Sequence, residues 1–246
     1  VMQAGATILT GLSGNVKIPK KSAASSGGWF AEGSAAAESE MGITSITMAP
    51  KTVGAFTDVT RQLMMQGSPD VESLIRTDLA QALALAIDLG ALAGTGSSGQ
   101  PTGIRATSGI NTKDFAATNP TFAEIVGMET EVAADNALLG NLAYIINASM
   151  AGALKTTVKD SGSGQFVLQD GQINGYRAIV SNQVAAGDAY FGNFSDLLIG
   201  MWGGLDILVD PYTASTTGTV RIVAMQSVDV AVRHAVSFCL GDADIA

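Results

Sequence analysis

Residues 94 to 99 read Gly-Thr-Gly-Ser-Ser-Gly, the GxGxxG spacing in which glycines let backbone N–H groups approach a pyrophosphate. That chemistry needs a strand before the first glycine and a helix N-terminus facing the phosphates. Here a helical pattern leads into Gly94 and Pro101 follows, so a helix-exit loop is expected, with a nucleotide-dependent enzyme using Gly94–Gly99 as the competing reading. No GxxxxGK[ST] run occurs anywhere. His234, the single histidine, sits between Arg233 and Ala235 in a strand-like alternation. As the base of a triad it would need a serine in an activated turn, and there is no GxSxG elbow. As a zinc ligand it lacks a Cys or His at ligand spacing. Asp242 and Asp244 offer fewer oxygens than calcium or magnesium recruits. Glu32, Glu38 and Glu40 lie in a Gly/Ala-rich segment without the rigidity or desolvation that separates the pKa values of an acid/base pair. No catalytic residue, cofactor, metal ligand or small-molecule substrate is therefore expected, and the pattern points to a structural or interaction protein.

The elements that would have to position any site follow from composition and period. The 246 residues suffice for one large domain or two small ones, and 47% hydrophobic content supplies a substantial core. A formal charge of −9, from 13 Lys and Arg against 22 Asp and Glu, argues against a general nucleic-acid binder, because neutralising phosphates takes clustered cations. Cys239 is the only cysteine; it cannot form an internal disulfide and reads as a small hydrophobe. The longest apolar region, residues 79–93, falls short of the roughly 20 residues of a membrane span. The opening VMQAGATILTGL lacks the charged leader of a signal peptide, so folding inside the cell is expected.

Short strands are expected within residues 5–19, and Val53, Ala55, Thr57 and Val59 alternate as in a half-buried strand. The clearest helix is predicted over 69–93, with Ser68 as N-cap, Pro69 at its first position, Asp70 and Glu72 in its first turn, and Gly94 as its stop. Its length of about 37 Å suits a spine. A loop region over 94–120 precedes a second helix, opened by a capping box between Thr121 and Glu124, with Phe122, Ile125, Val132 and Leu139 as its apolar side. A strand over 143–147 and a short helix near 149–158 come next. Strands are then expected over 166–168, 177–180, 189–191, 197–202 and 205–209, with a long run from 219 to 238. This irregular alternation predicts an α+β fold rather than a doubly wound sheet.

One stretch resists this description. In SSGGWFAEGSAAAESEMG, residues 25–42, Trp29 and Phe30 sit among glycine, serine, alanine and carboxylates. Lys17, Lys20 and Lys21 precede the pair and Glu32, Glu38 and Glu40 follow it. A segment this poor in large apolar groups cannot build its own core around two aromatics.

Taken in order, several stretches resemble the major capsid proteins of tailed bacteriophages, the family sharing the HK97 fold. They are GNVKIP and GGWFAEGSAAAESE, then ITMAPKTVGAFTDVTRQLM, then SPDVESLIRTDLAQALALAIDLGALAGTGSSGQPTGI, and finally GYRAIVSNQV with FGNFSDLLIGMWGGLDILVDPY, where a pair of apolar strands flanks Trp202-Gly203-Gly204. The resemblance implies an extended hairpin, the E-loop, over 15–52. It implies a peripheral domain from 1–14, 53–119 and 213–246, with the spine helix at 69–93, and an axial domain over 120–212. The N-terminal arm with which such proteins begin has no counterpart in these residues. The implied function is a shell subunit that self-assembles into pentamers, hexamers and an icosahedral particle around double-stranded DNA. Scaffold and portal proteins are its implied partners, the virion its location and the bacterial host cytoplasm its place of assembly. An encapsulin-like compartment is the alternative within the same fold. Lys17, Lys20, Lys21, Trp29, Phe30, Glu32, Glu38 and Glu40 become the implied subunit-interface residues. Some relatives weld their shells by an isopeptide bond from an E-loop lysine; no lysine lies between Glu32 and Glu40, so noncovalent shell contacts are expected.

Overall fold

Alternation of side chains along residues 51–60 turns Val53, Ala55, Thr57 and Val59 to one face and leaves Thr52, Phe56 and Asp58 on the other. The computed structural model describes residues 1–246 apart from 23, 24, 26, 36, 37, 67–69, 161, 163, 214 and 244–246; at 64, 66, 70, 71 and 215 it describes the backbone alone. In chain order the elements are β1 (Thr7–Leu9), β2 (Val16–Lys21), β3 (Ile43–Met48), β4 (Lys51–Thr60), α1 (Arg61–Gln66), α2 (Asp70–Ala93), β5 (Asn111–Asp114), α3 (Phe122–Ala134), β6 (Leu142–Ile146) and α4 (Ala148–Leu154). They continue as β7 (Leu168–Gln169), β8 (Gln172–Ile173), β9 (Tyr176–Val180), β10 (Ala189–Asn193), β11 (Leu197–Asp210), β12 (Thr219–Val232) and β13 (Phe238–Asp242).

These strands build a four-stranded sheet, β1-β11-β12-β4, a seven-stranded sheet, β5-β13-β10-β6-β9-β8-β7, and a two-stranded ribbon of β2 and β3. The expected α+β class holds. Helix α2 lies on the first sheet, where Leu79 and Leu83 pack against Val59, Ile222 and Ala224. Its predicted Ser68 cap and Pro69 start fall outside the described residues, while the Glu72–Arg76 pair closes at 2.7 Å. Helices α3 and α4 cover the second sheet: Ile125, Met128, Val132 and Leu154 meet Tyr144, Phe191 and Cys239 in a second core. A third cluster joins both sheets, with Leu92, Ile104, Phe194, Ile199, Val230 and Phe238 at its centre.

The capping box forms as expected. The Thr121 hydroxyl accepts from the Glu124 N–H, and Glu124 accepts from the Thr121 N–H and from the Ala116 N–H. Partial burial opposes ionisation of Glu124, but these donors outweigh it and hold the carboxyl below its usual 4.5. A depressed carboxyl adds stability above its unfolded value and loses it as pH falls through the folded one. Glu124→Gln is therefore expected to lower the melting temperature at pH 7 and to match the parent chain near the acid end; thermal melts at both pH values read the difference.

Three expectations are corrected. Residues 197–209 form one strand, not a pair: Gly203, with φ of 73°, lets Gly203, Gly204 and Leu205 bulge opposite Gln226 while β11 continues along β12. Leu139 leaves the helical face, because α3 ends at Ala134 and Asn136 turns left-handed; its side chain is 71% exposed. The ladders run across residue 212, the expected border of the axial part. Strand β11 belongs to the four-stranded sheet through its ladder with β12, and β13 belongs to the seven-stranded sheet through its ladder with β10. His234 follows β12 rather than lying within a strand, and begins a single 3-10 turn over Ala235–Ser237.

Candidate subunit interface

The β2–β3 ribbon is a hairpin held open at its far end. Ladder pairs run from Val16↔Met48 to Lys21↔Ile43, and the Ser22 N–H adds one bond to Gly42. Its base is fastened to the four-stranded sheet. Met48 is buried against Leu198 and Ala231, with Ile18, Ile46 and Trp202 packed around them. The Trp202 indole N–H donates to the Gly14 carbonyl at 2.8 Å. At the corner into β4, the buried Asp229 carboxylate accepts from the Ala49 N–H at 2.9 Å and the Lys51 ammonium at 2.8 Å. The role of Trp202 and Asp229 was not anticipated; an aromatic beside a Gly-Gly bulge and an acid inside an apolar strand were the available signals.

Beyond the ladder the described part of residues 22–42 has almost no inward face. Trp29 is fully exposed and Phe30 is 61% exposed, and one turn, closed by the Ser34 N–H on Ala31, punctuates the loop. Among the described residues, neither ring belongs to a buried apolar cluster. The structure does not bring the two charged arms together. Lys17, Lys20 and Lys21 stand on β2, Glu32, Glu38 and Glu40 lie in the loop, and among the described residues none forms an ion pair.

A second exposed apolar surface lies on the four-stranded sheet, on the face away from α2. Phe56, Val223 and Leu208 form one cross-strand row over three strands, with Phe56 and Leu208 exposed. In the next row Arg221 grips Asp58 with two bonds of 2.7 and 2.8 Å and stacks over the Phe56 ring. The Arg221 hydrogen bonds hold the Asp58 carboxyl below its usual value.

The residues singled out for chemistry have other employment. After α2 the chain turns back on the helix C-terminus: N–H groups of Gly103, Ile104 and Arg105 donate to the carbonyls of Gly94, Ala91 and Leu92, each at 2.9 Å. Those donors cap the negative end of a helix dipole, the opposite of a phosphate cradle. His234 Nδ1 lies 2.6 Å from Ser237 Oγ, and that hydroxyl donates to Asp196 Oδ2 at 3.1 Å. The trio has the residue types of a triad in the wrong order, with the carboxylate on the serine rather than on the imidazole, and Ser237 is buried. Asp242 is bound, with Asp188, by the guanidinium of Arg105; Asp244 lies outside the described residues. Burial pushes the Asp188 carboxyl up against the pull of Arg105. Burial also pushes the Cys239 thiol up to about 12, which keeps it an inert core group. No helix among the described residues is long and apolar enough to cross a membrane.

A spine helix on one sheet, a second sheet beside it and a projecting hairpin define the HK97-like capsid fold. The chain superposes on the capsid protein of an empty GTA particle with a TM-score of 0.79 at 20% identity, over 98% of this chain and 88% of that one. A structure from Microbacterium phage Oxtober96 gives 0.78 at 13% identity, over 98% and 90%. The sequence profile of the phage capsid family matches residues 1–243, and the chain belongs to that family. It is 34% identical over 242 residues to the major capsid protein of Halomonas phage phiHAP-1, covering 98% of this chain and 40% of that relative's length.

Proposed function

We propose that the protein is a phage major capsid subunit that assembles with copies of itself into pentamers, hexamers and a closed icosahedral shell around double-stranded DNA. The observation that carries this reading is the 34% identity, across nearly the whole chain, to a phage major capsid protein. The hairpin supports it physically: Trp29 is fully exposed and Phe30 61% exposed, and a head-to-tail contact repeated around an axis closes a ring or shell. In this reading the four-stranded sheet with α2 is the peripheral part, the seven-stranded sheet the axial part, and residues 15–52 the clasp laid over a neighbour. The mechanism is association rather than catalysis. Scaffold, portal and packaged DNA are its partners, with assembly in the host cytoplasm and residence in the virion. A net acidic subunit, at −9, suits a container that must release its DNA, since strong attachment to packaged DNA would oppose ejection. The compartment alternative is less favoured because the likeness in sequence is to a phage protein. The nucleotide-dependent enzyme is less favoured because the N–H groups of Gly94 and Gly96 are spent on the Gly90 and Pro101 carbonyls, at 3.1 and 3.0 Å.

Light scattering and electron microscopy on the purified full-length gene product test the reading. Rings or shells enclosing DNA in native particles are expected. A compact monomer at every concentration would overturn it, and a protein cargo in place of DNA would restore the compartment.

A further inference from the structure

Two strands pass from one sheet to the other side by side. Strand β10 leads into β11 through a single turn at Phe194–Asp196, and β12 leads into β13 through another at Ala235–Ser237. The two crossings are antiparallel members of one bent ribbon. Its ladder runs to Gly192↔Phe238 on the seven-stranded side and resumes at Leu197↔Val232 on the four-stranded side. Over the residues between, ladder pairing is interrupted, so beside the core cluster shared by both sheets the angle between them rests on whatever holds the two turns together.

That hold converges on one carboxylate. Asp196 is buried on the first turn. Its Oδ1 accepts from the Arg233 guanidinium at 2.8 and 3.1 Å. Its Oδ2 accepts from the Asn193 amide at 3.0 Å and from the Ser237 hydroxyl at 3.1 Å. Its backbone carbonyl accepts from the Arg233 N–H at 2.8 Å. His234 Nδ1 lies 2.6 Å from the same Ser237 hydroxyl and sets the imidazole against it. The corner is also closed sterically. A Cβ on Gly192 would come within 2.3 Å of the Ser237 carbonyl oxygen, and one on Gly140 within 2.7 Å of Asn193 Oδ1. Phe194 and Phe238 stack edge-to-face beneath it at 5.5 Å.

We infer that Asp196 is a positioning residue that locks the angle between the two sheets by tying the two crossings together, with Arg233, Ser237 and His234 as its holders. A buried carboxylate with donors from both turns has a single low-energy arrangement, and removing a donor leaves the others unbalanced. Where the capsid reading holds, this angle sets the curvature a subunit brings to the shell; that last step rests on the proposed function, the lock itself does not.

The test places spin labels at Gln81→Cys on α2 and Glu131→Cys on α3, both exposed positions, while the buried Cys239 stays unlabelled. Electron–electron distance measurements on the full chain are expected to give one narrow distance. With Asp196→Asn, and separately with the milder Ser237→Ala, that single narrow peak is expected to be lost while hydrogen exchange within β6, β10, β11 and β12 stays slow. An unchanged narrow distance in Ser237→Ala and in any folded Asp196→Asn protein would overturn the lock. So would broadening accompanied by fast exchange in both sheets, which would mark general loosening. Particle size by electron microscopy reads only the consequence: parent shells that fail to form would count against the proposed function and leave the distance result to decide the lock.

Discussion

Removing both loop aromatics, Trp29→Ala with Phe30→Ala, is expected to suppress assembly while leaving the melting temperature of the subunit almost unchanged. Neither side chain touches a core, since Trp29 is fully exposed and Phe30 61% exposed. Exposed substitutions of this kind change stability by about 0.5 kcal/mol or less, a shift of about 2 °C at most for a chain of this size. At a subunit contact the same rings contribute about 1.5–3 kcal/mol each on burial. Losing both then weakens each contact by roughly two to four powers of ten. A shell multiplies that loss over every clasp. Light scattering against protein concentration measures the assembly arm, and calorimetry of the unassembled chain measures the other. A melting temperature that falls in step with assembly would place the pair in a core of its own subunit. Intact assembly of the double variant would remove the hairpin aromatics from the interface.

The second large effect belongs to Gly94. A Cβ there would lie 2.3 Å from the carbonyl oxygens of both Gly90 and Pro101, closer than any methyl group tolerates, and both obstacles are backbone. Gly103 faces the same restriction, 2.6 Å from the Gly94 nitrogen. Gly94→Ala must push the returning chain off the end of α2 and strain the capping bonds of residues 103–105. Overpacking of this kind costs about 3 kcal/mol, which lowers the melting temperature by roughly 6–12 °C. Scanning calorimetry of the variant measures it, and the same experiment on the parent chain with NAD or ATP is expected to show no shift. A ligand specific to the folded chain would have to raise the melting temperature. A rise with nucleotide, or a Gly94→Ala protein as stable as the parent, would return these glycines to a phosphate-binding role.

These two cases show where residue patterns carry information and where they do not. The glycines at 94, 96 and 99 have a spacing that two very different environments both require, because close backbone approach is needed at a phosphate and at a helix terminus alike. The preceding helical period, with Leu79, Leu83 and Ile87 on one side, was enough to choose between them. Leu139 misled for the opposite reason. It keeps the apolar period of α3 past Ala134, but Asn136 adopts a left-handed conformation and the helix stops first. Apolar runs around Gly203 read as two strands because a Gly-Gly pair is a common hairpin turn, and only the register with β12 shows a bulge there. The eight expected interface residues are an intermediate case: the exposure of Trp29 and Phe30 followed from their neighbours, whereas the separation of the lysines from the glutamates depended on where the ladder ends.

The amino-acid sequence by itself determined the long helix that ends at Gly94 and the Thr121–Glu124 capping box, while the hairpin and the family came by resemblance. The first two depend on period and caps within a few residues of one another. Only the tertiary structure decided that β11 and β13 exchange sheets relative to their order in the chain. It alone anchored the hairpin base on Trp202 and Asp229, and gathered Asp196, Arg233, His234 and Ser237 at the corner. Those arrangements join residues about 40 to 190 positions apart, and pairings over such distances are selected by burial and hydrogen-bond satisfaction in the folded chain, which no local period encodes.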